Sequence, residues 1–268
     1  MKTRWLGTLM ALIFIIASCS SVNTRIAAEH VKELPEFNKI VLKTVKEYPA
    51  DGTHGYWWPR SGEGSYDGGT QDMFLQGEKV MEGEPKKRSF CCGLTLEVFL
   101  KAYKEWLKDN GGEKASVISP EDWGRFQSLW FVQKLNGPGP SAALEEFNLG
   151  RTIQPDQALP GDFVQIWRTV KEEGSSPSGH SVIFLGWEKD EGGNISGMRY
   201  WSTQPGSDGI SERVEYFGPN GGIAGENTWI GRVEPRAKKV EKAKPEKKED
   251  KNKEKTDKEN SEKKDKKQ

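Results

Sequence analysis

Three cysteines and three histidines carry most of the nucleophilic and acid–base chemistry open to this chain: Cys19, Cys91 and Cys92, with His30, His54 and His180. Cys91 and Cys92 precede an apolar stripe of Leu94, Val98, Phe99, Ala102, Tyr103, Trp106 and Leu107. That spacing predicts a helix that starts at Ser89 or Phe90 and ends at Asn110-Gly111-Gly112. Both thiols then fall in the first turn, where unpaired N–H groups and the positive end of the helix dipole favour the nucleophilic thiolate. Acyl transfer also needs an acid or base within hydrogen-bond reach, and His is the side chain that changes charge near neutral pH. His30 falls in a predicted tether and His54 at the edge of a Gly-rich loop. His180 instead heads the run His180-Ser181-Val182-Ile183-Phe184-Leu185-Gly186, and a rigid strand start opposite a helix N-terminus can hold a base. One Cys pair without spacing and one nearby His fall short of four metal ligands, so neither a metal nor another cofactor is expected.

Stepping outward along the chain, Pro35 opens an amphipathic helix with Phe37, Ile40, Val41, Thr44, Val45 and Tyr48 on one face, stopped by Pro49. Residues 51–70 are dense in Gly and aromatics and predict a long surface loop. Trp57 and Trp58 in it either line a cleft for an extended ligand or pack against the loop itself. Ser119-Pro120-Glu121-Asp122 supplies a cap, a first-position Pro and early acids for a third helix, carried by Trp123, Phe126, Leu129 and Trp130 to Gly137. A fourth helix is expected from Ala142 to Leu149. After Pro160-Gly161, β-rich runs at 162–170, 181–187, 195–203, 210–217 and 228–233 alternate with Gly, Ser, Pro and Asn clusters. They predict an antiparallel meander, hence an α+β domain over residues 35–236 with helices layered on one face of a sheet.

Phe90-Cys91-Cys92-Gly93-Leu94 resembles the Asp-Cys-Ser-Gly-Leu signature of the NlpC family of papain-like cell-wall cysteine peptidases. Pro160-Gly161-Asp162-Phe163-Val164 is similar to that family's Pro-Gly-Asp-Leu-Val strand, and Gly179-His180-Ser181-Val182-Ile183 to its Gly-His-Val strand and that of the related CHAP amidases. The resemblance implies a papain-like NlpC/CHAP fold, with Cys91 as nucleophile and His180 as base. It puts Cys92 where the family has Ser and Phe90 where it has Asp. The third residue of the implied triad falls in Tyr200-Trp201-Ser202-Thr203-Gln204, with Gln204 preferred and Ser202 second. Tyr66 is the implied counterpart of a tyrosine near the oxyanion site. The implied activity is a cysteine amidase or peptidase, a thiol hydrolase acting on peptidoglycan stem peptides. Two other readings stand beside it: a non-catalytic envelope-binding module on the same fold, and an acyltransferase using the same dyad. In the plainest alternative, both cysteines are core residues and His180 is structural.

Lys2 and Arg4 precede an apolar run from Leu9 to Ile16 that ends at Ile16-Ala17-Ser18-Cys19. The run has the length of a signal-peptide core over residues 1–18, and small residues before Cys19 resemble the lipobox of bacterial lipoproteins. Cys19 would then carry the lipid and begin a tether over 19–34, anchoring the protein to a membrane in the cell envelope, facing the periplasm or the cell surface. A plain secretion signal would export the chain without an anchor. Either way Cys91 and Cys92 have no distant disulfide partner, leaving a vicinal disulfide, dimerisation or thiol chemistry. From Ala237 to Gln268 the chain holds 14 Lys against 9 Asp plus Glu with no aromatic residue, a composition that cannot fold on its own. Between Cys19 and Arg236 there are 24 basic and 31 acidic side chains, a balance that disfavours a nucleic-acid partner.

Overall fold

Helix α1 (Glu36–Val45) begins directly after Pro35 and buries Phe37, Val41 and Val45, as its apolar spacing dictates. It packs on α2 (Cys91–Asp109), which is buried nearly all round through its first ten residues, Leu94, Leu96, Val98, Phe99 and Leu100 among them. A helix apolar on every side must be surrounded, and α2 is. Helix α3 (Pro120–Trp130) and a six-stranded antiparallel sheet complete its surroundings, and α4 (Pro140–Glu146) packs on α3 and on the sheet. The computed structural model describes residues 34–239 apart from 62, 207 and 208. The signal segment, Cys19, residues 19–33 and the tail from 240 lie outside the described residues. Among the described residues no helix is long and apolar enough to cross a membrane.

The fold is α+β. Strands β1 (Met73–Leu75) and β2 (Glu78–Met81) form a separate hairpin. The main sheet contains β3 (Gly150–Ile153), β4 (Phe163–Trp167), β5 (Gly179–Lys189), β6 (Ile195–Gln204), β7 (Gly209–Tyr216) and β8 (Trp229–Val233), in the order β3-β8-β4-β5-β6-β7. The expected meander therefore holds only for β4 to β7. β8 returns to the far side of β4 and is flanked by β3, a strand whose Gly-Arg-Thr-Ile run is too short and polar to signal itself. Helix α3 stops at Trp130 rather than running to Gly137, because Val132 takes a left-handed conformation (φ 65°). The released turn is tied to the sheet by Trp167 Nε1 donating to the Gly137 carbonyl (2.9 Å) and Trp229 Nε1 to that of Asn136 (3.1 Å). Helix α4 likewise starts earlier than expected, with Pro140 in its first position, and ends at Glu146.

The helices cover one face of the sheet. Phe99 contacts Trp130 and Phe163 at ring-centroid distances of 5.1 and 6.1 Å and joins helix to strand there. The opposite face buries Val164, Ile166, Val182, Phe184, Met198 and Tyr200 beneath loop residues that include Ile223. One buried carboxylate organises the helical side: Glu97 accepts from Tyr48 Oη (2.9 Å), the Thr70 N–H (2.6 Å) and Gln71 Nε2 (2.8 Å). These bonds fasten the aromatic loop to the second turn of α2.

Candidate active site

Cys91 is the first residue of α2, with Phe90 as its extended N-cap. Phe90 buries its ring among Trp58, Tyr66 and Phe131 at centroid distances of 4.6, 5.3 and 5.8 Å, so an apolar side chain at that position is explained by packing. The loop crosses directly over the first turn: Phe90 N–H donates to the Gly68 carbonyl (3.1 Å). A Cβ on Gly93 would lie 2.2 Å from the Asp67 carbonyl oxygen, so only glycine fits after the two cysteines. Both thiols are free, Cys92 buried and Cys91 partly exposed.

The two thiols are driven in opposite directions. Cys91 is held well below the usual thiol range, first by a hydrogen bond from the Cys92 thiol; burial opposes this, and the charge and hydrogen bond of His180 and the Ser181 N–H add to the lowering. Cys92 is pushed well above that range by donating to Cys91, by its burial and by the neighbouring Cys91 charge. Cys91 thus carries the negative charge and Cys92 stays protonated as its donor. The dipole of the 19-residue helix reinforces this.

His180, near the start of β5, pairs through Nε2 with Gln204 Oε1 at 3.2 Å. With Nε2 donating to that amide oxygen, Nδ1 is the nitrogen left for the sulfur. Gln204 is itself fixed, its Nε2 donating to Ser211 Oγ (2.9 Å). His180 also meets the edge of Tyr200 at 5.7 Å. On its helix side β5 is locked by Ser181, whose Oγ shares a 2.9 Å hydrogen bond with Thr95 Oγ1, one turn beyond Cys91.

Cys91, His180 and Gln204 open together onto a cleft of about 630 Å³ that also includes Tyr56 and Trp58. A smaller recess of about 200 Å³ continues on the other side of Cys91 and His180, formed by Phe131, Val132, Gln165 and Trp167. Trp58, 56 % exposed, borders both.

Three of the residues singled out from sequence stand elsewhere. Ser202 donates to the Ser181 carbonyl (2.8 Å) and is fully buried, so it braces β5 from β6 and leaves His180 to Gln204. Tyr66 points away from the cleft: its hydroxyl donates to the Trp57 carbonyl and its ring stacks on Trp57 at 5.1 Å. Trp57 is held there, with the Arg88 guanidinium 3.9 Å over its face, and lines neither cavity. The tyrosine beside the nucleophile is Tyr56. Its phenol is pushed up to about 12 by partial burial and then by the neighbouring thiols, Cys91 first, so it remains a neutral donor. Its place is set by the Trp57 N–H to Ser89 carbonyl (2.9 Å) and Ser89 N–H to Gly55 carbonyl (3.0 Å) bonds, which run the loop alongside the segment entering α2. That long-range pairing has no local sequence signal.

The arrangement supplies a charged nucleophile, an imidazole that can pass a proton, an amide that orients the imidazole, and a helix N-terminus whose positive dipole end can hold an oxyanion. Comparison with protein-family models, with curated proteins and with solved structures finds no match for this chain.

Proposed function

We propose that the protein is a cysteine amidase or peptidase of papain-like NlpC/CHAP type, exported and tethered to the cell envelope through Cys19, that hydrolyses amide bonds of peptidoglycan stem peptides. The observation that carries this reading is the shared opening of Cys91, His180 and Gln204 on one cleft, with Cys91 held as thiolate. In the reaction, Cys91 Sγ attacks the amide carbonyl and His180 gives its proton to the leaving nitrogen. Gln204 keeps the imidazole aligned, while the N–H groups at the start of α2 and the Tyr56 hydroxyl face the developing oxyanion. Water, activated by His180, then releases the acyl group from Cys91 and restores the thiolate–imidazolium pair. The choice of peptidoglycan rests on the motif resemblance and the export signal in the sequence.

The test is hydrolysis of purified peptidoglycan fragments by the native protein and by Cys91→Ala. The native protein releases new amino termini and the variant, with an unchanged circular dichroism spectrum, does not. Equal turnover by the two would overturn the assignment.

A further inference from the structure

The two cavities flanking Cys91 differ in charge. Beyond Cys91, Cys92 and His180, the smaller recess presents Phe131, Val132, Gln165 and Trp167, none of them ionisable. Among the described residues the larger cleft carries Arg168, Lys171 and Arg213 with one carboxylate, Glu215. Glu215 is already committed: Arg168 engages both its oxygens and Tyr200 Oη donates to it at 2.9 Å. Burial pushes Glu215 up, but these bonds and the Arg168 charge hold it ionised, below the usual carboxylate range. The pair is therefore neutral, and Lys171 and Arg213 remain as net positive charge. Neither makes an ion pair among the described residues. Lys171 is also placed: its side chain lies across Gly221, where an added Cβ would come within 2.4 Å of Cε. Two uncompensated cations in one cleft stand out in a segment with 24 basic and 31 acidic side chains, and a concave wall of one sign concentrates ligands of the other.

We propose that the larger cleft binds a carboxylate of the peptide substrate beside the scissile amide, with Lys171 and Arg213 as its counter-charges, while an uncharged substituent enters the smaller recess. This rests on the hydrolase reading for the word substrate, but the preference for an anion rests on the cleft alone.

Two measurements separate them. The first compares alkylation of Cys91 by iodoacetate and by iodoacetamide, probes of similar size that differ in charge. Taking their rate ratio cancels any change in thiolate content. In the Lys171→Gln/Arg213→Gln double variant the iodoacetate-to-iodoacetamide ratio falls about three- to tenfold at low salt, and Lys171→Arg/Arg213→Lys retains it. An unchanged ratio in the Gln double variant overturns the proposal. The second compares two peptides that differ only in a carboxylate or a carboxamide next to the cleaved bond. The native protein favours the carboxylate through KM, and the Gln double variant loses that preference; equal preference in both proteins also overturns it. Should the native protein cleave neither peptide, the hydrolase reading falls, and the alkylation ratio still decides the anion site.

Discussion

Thr95 and Ser181 face each other across the junction of α2 and β5, their hydroxyl oxygens 2.9 Å apart, one helical turn from Cys91 and one residue from His180. The bond sits inside a chain: Trp130 Nε1 donates to Thr95 Oγ1 (3.1 Å), and Ser202 Oγ donates to the Ser181 carbonyl (2.8 Å). Helix α3, helix α2 and strands β5 and β6 thus meet at one buried polar cluster directly behind the cysteine–histidine pair. Such a connected cluster specifies a single register where apolar packing alone tolerates small slips.

Thr95→Val keeps the shape of the side chain and removes the oxygen. Trp130 Nε1 and Ser181 Oγ are then left buried without that partner, at a cost of about 1–3 kcal/mol, read as a lower midpoint in urea unfolding. The spacing between Cys91 and His180 also loosens, so Cys91 alkylation near neutral pH slows. Thr95→Ser, which retains the hydroxyl, preserves the alkylation rate. A Thr95→Val protein as stable and as reactive as the native one would show that the cluster does not position the site.

The opposed thiols make a pH-dependent signature. Thiolate content rises with pH through the Cys91 pKa, and that pKa is lowered. The alkylation curve of Cys91 therefore has its inflection at lower pH than that of an unperturbed thiol, about 8.5, while Cys92 stays unlabelled near neutrality. Removing the principal donor in Cys92→Ala moves the inflection upward, and Cys92→Ser, which keeps a hydroxyl donor, moves it less. His180→Ala also moves it upward. The same shifts enter stability with opposite signs. The depressed Cys91 contributes stability that is present above its unfolded pKa and lost as pH falls through the folded one. The raised Cys92 contributes stability present below its unfolded pKa and lost as pH rises through the folded one. Site-resolved mass spectrometry of labelled peptides across pH measures the kinetic part directly.

The elements that place Cys91 and His180 were legible because each is long and strongly patterned: the apolar stripe of α2 and the run from His180 to Phe184. Gln204 was reachable through alternation, since Tyr200, Ser202 and Gln204 share a side of β6. Alternation could not choose between Ser202 and Gln204, because the choice depends on which partner each finds across the sheet. Tyr56 was hidden for a related reason. Tyr56 and Tyr66 lie in the same Gly-rich loop, and pairing of Tyr56 with Ser89, more than thirty residues along the chain, is what brings Tyr56 to the cleft that Cys91 lines. The β1–β2 hairpin and β3 are three or four residues long, too short for periodicity to register. Nothing local to Thr228–Val233 distinguishes a strand that continues the meander from one that returns to β4.

Asp162, in the Pro160-Gly161-Asp162 run, has a structural role that its sequence context does not reveal. It is fully buried, and its Oδ1 accepts from Asn38 Nδ2 (2.9 Å) and Arg232 Nε (3.0 Å), while Oδ2 accepts from Arg232 Nη2 and the Leu159 N–H, both at 2.7 Å. One carboxylate therefore joins α1, the turn before β4, and β8, with no part of it near the cleft. Arg232 is mostly buried beside it, at 12 % side-chain exposure, so the pair has little water to fall back on. Asp162→Ala strands the Arg232 guanidinium and two N–H donors, and the expected loss is about 3–5 kcal/mol. Asp162→Asn keeps the shape but turns one acceptor into a donor facing Arg232 or the Leu159 N–H, so it too destabilises, by less. Because β8 pairs with β4 and β4 pairs with β5, the damage reaches His180 only through the sheet. At temperatures where the variants remain folded, the alkylation inflection of Cys91 stays at its native pH while the urea midpoint drops. A shift of that inflection in Asp162→Asn, with stability intact, would instead place Asp162 in the electrostatics of the site.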